Sequence, residues 1–119
     1  NSMDDINKIK ETLEDRFGKV TDDIVIYMHE EWFEKQAREL NITKSKQNKN
    51  YIELVLPRDI SSKIDGEMLF FTAYDICKYF RFSYIENEIH IILDLIKLDK
   101  HFIFYFNELL DKILEDIKN

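Results

Sequence analysis

Three histidines, one cysteine and 24 carboxylates are the groups in this chain with chemistry to offer. His29, His90 and His101 stand far apart, and none has a His or Cys three or four residues away, the spacing that sets two zinc ligands on one helical face. No metal centre is expected, and they read as surface or structural histidines. Cys77 shares a helical face with Phe70, Ala73 and Phe80 and reads as a small packed hydrophobe, since no histidine lies near it in sequence to activate a thiolate. Glu30, Glu31 and Glu34 offer a general acid and a general base in principle, but catalysis would need one carboxyl buried and another solvated, and nothing near them does this. A solvated helix face is the simpler reading. The run "FRFSY" (80–84) sets Phe80, Phe82 and Tyr84 on one strand face, superficially a platform for stacked bases. Glu86 and Glu88 follow where such a platform would want basic flanks, so sheet core beneath a helix is the reading adopted. With two glycines in all, the chain has no phosphate-cradling loop, and no ATP or other cofactor is expected.

The totals agree with a non-catalytic domain. A chain of 119 residues is long enough to remove roughly 65% of its unfolded surface from water, so one domain can stand on its own core. Two glycines and one proline argue for long regular elements rather than linkers. Net charge is −7, with 17 Lys and Arg scattered among 24 acids, so the basic footprint of a nucleic-acid surface is missing and a basic protein partner is the better match. A single cysteine excludes an internal disulfide and suits a reducing cytoplasm. No apolar run approaches the roughly 18 residues of a membrane span, and no membrane association is expected. Asn1 and Ser2, ahead of Met3, read as an expression scar, which predicts a fragment of a longer protein.

The elements that must position these groups follow from periodicity. Ile6, Ile9, Leu13 and Phe17 form one stripe on a helix over 4–17, which Gly18 ends through the left-handed conformation open to it. Thr21 is placed to cap a second helix running to about residue 40, with Val20 and Val25 as a hydrophobic staple and Asp22 and Asp23 at the positive end of the dipole. Ile26, Phe33, Ala37 and Leu40, flanked by Val25, Met28 and Trp32, predict its buried face, and Asn41 its left-handed stop. A short strand over 42–44 and a polar turn at 46–50 lead to a strand over 51–56, where Ile52, Leu54 and Leu56 share a face until Pro57 closes it. Leu69, Ala73, Ile76 and Phe80 predict a third helix from 62 or 65 to 79, with Gly66 in or just before its first turn. The stretches 80–84 and 88–93 alternate around "IENE" as a hairpin. Asp99 is placed to cap a last helix lined by Phe102, Phe106, Leu109, Ile113 and Ile117, with Leu98 and Ile103 as a second staple. The predicted order is ααββαββα, an α+β fold with four helices packed on a small antiparallel or mixed four-stranded sheet.

"ETLEDRFGKVTDDI" (11–24), followed by a helix ending "QARELNI" (36–42), resembles the C-terminal domain of the bacterial transcription-repair coupling factor (Mfd). The matching positions are Asp15, Arg16, Phe17 and Gly18, then Leu40 and Ile42, and residues 92–116 are similar in pattern to the closing strand and helix of that family. Thr21 stands where the family often has Pro, and Asn41 where it has Gly; both are mild changes, because Thr caps helices and Asn tolerates the left-handed region.

The resemblance implies residues 1–119 as a single C-terminal regulatory domain rather than an enzyme. The parent proteins of that family use an ATP-driven DNA translocase to push stalled RNA polymerase off damaged DNA, and they recruit UvrA through an N-terminal UvrB-like module. The C-terminal domain is implied to pack on that module and mask its UvrA-binding face, so its contact with UvrA and RNA polymerase is indirect and no nucleic-acid or ATP site is implied within it. Glu30, Glu31 and Glu34 are the candidate surface for a basic face of the UvrB-like module. Two other classes remain in view, a free-standing acidic adaptor or nucleic-acid-associated domain and a small hydrolase with a carboxylate site.

Overall fold

The computed structural model describes residues 3–17 and 22–118. Among them the order is α1 (Met3–Phe17), α2 (Asp22–Glu39), β1 (Lys44–Gln47), β2 (Tyr51–Leu56), α3 (Arg58–Ser61), α4 (Gly66–Ile76), β3 (Phe80–Ile85), β4 (Glu88–Asp94) and α5 (Phe102–Lys118). The strands form one sheet in the order β1-β2-β4-β3, antiparallel at every pairing. The fold is α+β as expected, with one helix more than the four predicted.

That extra helix, α3, follows from Pro57. The proline ends β2, sits at the N-cap with φ −63° and ψ 164°, and has no N–H to leave unsatisfied at a helix start. The polar stretch after it conceals Ile60, which is buried, and Ser61, whose hydroxyl donates to the Leu56 carbonyl (2.9 Å) and accepts from the Ile89 amide (3.0 Å). One side chain thus ties the short helix to β2 and β4.

Alternation sets the sheet's inner face. Ile52, Leu54 and Leu56 of β2 and Ile89, Ile91 and Leu93 of β4 are all buried beneath α4 and α5. The hairpin turn is Glu86-Asn87, both at positive φ (53° and 67°), the pairing a two-residue type I′ connection requires. The first strand corrects the expectation of 42–44: it runs Lys44–Gln47, and the turn shrinks to residues 48–50, where Asn48 Oδ1 accepts from the Asn50 and Tyr51 amides at 2.8 and 3.0 Å. All four residues of β1 are exposed, so no apolar period marks it.

Two helix ends also differ from expectation. Asp65 caps α4, accepting from the Glu67 and Met68 amides, but the helix stops at Ile76 rather than 79 because Cys77 is already extended (φ −159°, ψ 127°). At α5 the Ile103 amide donates to His101 Nδ1 (3.1 Å), so His101 performs the cap assigned to Asp99. Asp99 instead accepts the Tyr105 hydroxyl, and that bond, followed by burial, pushes the phenol up to about 12. Leu98 and Ile103, the expected staple, both pack into the core.

The long helix α5 is the centre of the molecule. Phe106, Leu109 and Leu110 are wholly buried, and the Phe106 ring meets Phe80 of β3, Phe33 of α2 and Phe102 edge-on, at centroid distances of 5.5, 6.1 and 6.5 Å. Against it, α2 presents a face turned from the predicted one: His29, Trp32 and Gln36 are buried with Leu40, while Ile26, Phe33 and Ala37 are half-buried. One cause is polar. Asn107 of α5, wholly buried, donates through Nδ2 to the His29 carbonyl (2.8 Å) and approaches His29 Nδ1 at 3.1 Å, which draws His29 to the centre of the seam. Beyond α2, Ile6 of α1 is buried, whereas Ile9 of the same predicted stripe is exposed. Gly18, Val20 and Thr21, assigned as helix stop, staple and cap, lie outside the described residues.

Two outcomes follow. The α2 C-terminus closes with Asn41 at φ 56°, the Ile42 amide donating to the Ala37 carbonyl (2.9 Å) and the Asn41 amide to the Arg38 carbonyl (3.1 Å). Asn41→Ala should therefore cost about 1 kcal/mol in urea unfolding, and Asn41→Gly should be neutral or stabilising. His29 is held below the ordinary histidine value, first by burial and then by the Lys100 ammonium. The folded state then takes up a proton less readily than the unfolded, so stability is complete above about pH 6.5 and is lost as pH falls from there through the lowered folded value. Urea midpoints followed across that window should fall for the wild type and stay level for His29→Gln.

Candidate interaction surface

The inward set of α2 dictates what it shows to solvent. With His29, Trp32, Gln36 and Leu40 turned to the core, helical geometry sends Glu30, Glu31 and Glu34 outward, and all three are exposed. The structure thus brings the three predicted acids together on one solvated ridge. Their shared field is visible at Tyr27 on the same ridge. Its hydroxyl is held above the ordinary tyrosine value first by a hydrogen bond to Glu31, then by the Glu31 charge, with Glu34 and Glu30 adding to it. Acids this close repel one another, and a cationic partner relieves that repulsion.

Beside the ridge, α1 and α2 enclose a crevice of about 400 Å³ whose lining combines Ile6, Ile9, Met28 and Trp32 with the acids Asp5 and Glu31 and the cations Lys35 and Arg38. The motif residues fall at both ends of this helical pair. Asp15, Arg16 and Phe17 close α1, their side chains lying with Gly18 outside the described set. Leu40 is wholly buried and Ile42 half-buried against the core, joined by the left-handed turn at Asn41. These two act as structural anchors for the α2 end.

The remaining reactive groups are committed to structure. Cys77 is a buried free thiol within the core cluster. His101 caps α5 and lies against Phe102, its ring centroid 4.4 Å away. His90 Nδ1 meets Glu53 Oε2 at 2.6 Å across β2 and β4, a pair that residue spacing alone did not reveal. Its signal was present in the alternation: if Ile52 and Leu54 point inward, Glu53 points outward, and so does His90 between Ile89 and Ile91. The same outer face holds Arg81–Asp94 at 2.7 Å and Lys44–Glu88 at 3.4 Å. These pairs share that face with Tyr51, Val55, Ile85 and Ile92, and of these Val55 is buried. Among the described residues no group of three or more His, Cys, Asp or Glu is placed to hold a metal ion, and no helix is long and apolar enough to cross a membrane.

The sequence matches no family model and no curated protein. Among solved structures it is similar to the crystal structure of the C-terminal domain of transcription-repair coupling factor, with a TM-score of 0.66 and 15% identity, over 98% of this chain and 73% of that one. The likeness spans every element from α1 to α5, and at this identity it is a likeness of backbone path. The chain has the fold of the C-terminal domain of transcription-repair coupling factor.

Proposed function

We propose that this chain is a non-catalytic regulatory domain, the C-terminal part of a transcription-repair coupling factor. It packs on the UvrB-like N-terminal module of the same cytoplasmic protein and masks that module's UvrA-binding face. The observation that carries this reading is the fold likeness over 98% of the chain, which takes in the helix ending in Asp15, Arg16 and Phe17 and the closing α5. The exposed ridge of Glu30, Glu31 and Glu34 supports it from a second side, because a latch that must open on activation needs contacts that form quickly and release readily. In the parent protein the translocase, the contact with RNA polymerase and the recruitment of UvrA belong to other regions.

Titration of the 119-residue chain against the separately expressed UvrB-like module tests the reading. The wild type should bind with an affinity that falls as salt rises. Glu30→Lys, Glu31→Lys and Glu34→Lys together should weaken binding by about tenfold or more and leave a shallower salt dependence, with far-UV circular dichroism unchanged. Equal affinity in the triple variant would remove this ridge from the interface, and no binding by the wild type would remove the docking role itself.

A further inference from the structure

The strand β3 lies at one edge of the sheet and carries apolar side chains that the protein's own helices do not cover. Phe80, Phe82 and Tyr84 alternate onto the inner sheet face, and Phe80 is buried as a core residue should be. Phe82 is only half-buried and Tyr84 is 66% exposed, which corrects the expectation that all three lie beneath a helix. The reason is length: α4 has 11 residues, and beside its first turn a groove of about 420 Å³ opens along the outer half of β3, with Ile64, Leu69, Phe82 and Tyr84 in its lining. On α4 itself, Met68, Thr72 and Asp75 line crevices against α5, so helical geometry puts Phe70 and Tyr74 on the flank turned away from it. Both rings are about half exposed and stack with centroids 6.4 Å apart. Continuous apolar surface of this kind marks a contact with another molecule.

The backbone sets what this edge can accept. The hairpin register pairs Ile85 with Glu88 across the two-residue turn, and the Asp94 amide donates to the Tyr79 carbonyl (3.2 Å). Hydrogen-bonded pairs recur at every second residue of an antiparallel ladder, so Tyr79, Arg81, Ser83 and Ile85 turn their polar groups toward β4. The amides and carbonyls of Phe82 and Tyr84, and the Phe80 carbonyl, therefore point outward. Among the described residues no strand pairs with that side of β3. Lys44 and Lys46 guard the opposite edge at β1 against strand addition, whereas the one charge within β3, Arg81, is matched by Asp94 at 2.7 Å on the outer face.

Charge narrows the occupant. Arg58 Nε donates to the Glu86 carbonyl (3.1 Å), and Lys63 and Lys78 stand in the same part of the chain as Asp65, Glu67 and Asp75, so this face is of mixed sign and holds little of the net charge of −7. It selects neither a nucleic acid nor a segment of uniform charge. What is ordered is the sign along the strand, for Lys78 precedes β3 and Glu86 follows it, both exposed. An antiparallel neighbour of the same sequence sets basic start against acidic end at both ends of the joint. We propose that the β3 edge pairs with the β3 edge of a second copy of this chain, about a two-fold axis through Phe82. Phe82 then faces its counterpart, Phe80 faces Tyr84 of the second copy, and Lys78 faces Glu86 of the second copy. The outward groups of the two Phe82 residues bond each other, and each Tyr84 amide donates to the Phe80 carbonyl across the axis. Opposed residues of an antiparallel pair share a face, so the aromatic rings form one ladder on the inner face beside the two grooves, and Arg81 faces Ser83 on the outer one. Such a contact is isologous and closes at two copies, leaving a lysine-bearing β1 edge at each end of the joined sheet. This edge lies across α5 from the acidic ridge of α2, so the inference stands independently of the docking role assigned to that ridge.

Sedimentation equilibrium of the full chain is the test. Its mass should rise from monomer toward dimer, and no further, between about 10 µM and 1 mM. Amide exchange at Phe82 and Tyr84 should slow over the same range, with β1 unchanged. Tyr84→Pro should weaken association about tenfold or more and keep the far-UV circular dichroism, because the amide it removes points away from β4. Lys78→Glu should weaken association about fivefold, and adding Glu86→Lys to the same chain should restore it, a rescue that loss of fold would not give. A monomer at the highest concentration would leave the edge to some other occupant and overturn the proposal. So would masses beyond the dimer, slowed exchange on β1 instead of β3, or association indifferent to Tyr84→Pro and to the charge exchange.

Discussion

Everything in this molecule is organised by the burial of α5 against the sheet and its flanking helices, with Glu108, Lys112 and Glu115 left on its solvated face. Its Phe106, Leu109, Leu110 and Ile113 face the sheet and the flanking helices together, and each such side chain contributes about 1.5–3 kcal/mol by leaving water. Because α5 takes α2 on one side and α4 on the other, the sheet can be short and one-sided. Its outer face is then free to remain polar. The rotation of α2 is the clearest sign of this control. An apolar stripe alone would set Phe33 and Ala37 innermost, but a buried amide at Asn107 needs an acceptor, and unmet buried polar groups cost about 1–3 kcal/mol. The bonds to His29 meet part of that demand, while Asn107 Oδ1 and both Gln36 amide atoms are buried on the same seam without a partner, so hydrogen bonding alone does not set the rotation that aims the ridge of acids.

The legible parts of the fold were those where one physical signal acted alone. Ile52, Leu54 and Leu56 announce β2 by their alternate spacing, which the buried Val55 interrupts only in part, and Pro57 ends it. The hairpin was readable from two alternating runs around Glu86-Asn87, and α5 from five apolar residues at helical spacing. Elements that bury nothing were not readable. The strand β1 is held by backbone pairing to β2, which no side-chain pattern records. A local rule also failed where a distant group intervened: Asp99 is a sound cap by composition, but Tyr105 claims its carboxylate and His101 takes over. The candidate acids were legible as a solvated set, since charge needs no partner to be outside. The bareness of Tyr84 was not, because alternation reports which way a side chain points and is silent on how far the neighbouring helix extends.

The likeness in backbone path at 15% identity has a physical reading in the same terms. In this chain that path is set by a long central helix, an inner sheet face of branched aliphatics and a left-handed closure after α2. Each tolerates many sequences. Asn41 in the left-handed region illustrates the tolerance: its backbone does what a glycine would do, at a modest cost offset by the buried Leu40 beside it.

The lone tryptophan sits where these arrangements meet. Trp32 is buried on α2, lines the crevice shared with α1, and lies 6.2 Å from the His29 ring. Its indole emission is therefore a native optical gauge of the α1–α2 joint. Lifting α1 away would bathe the ring in solvent and redden its light, while protonating the neighbouring imidazole would dim it without moving the helix. Colour and brightness would separate a mechanical event from a titration in a single unlabelled sample.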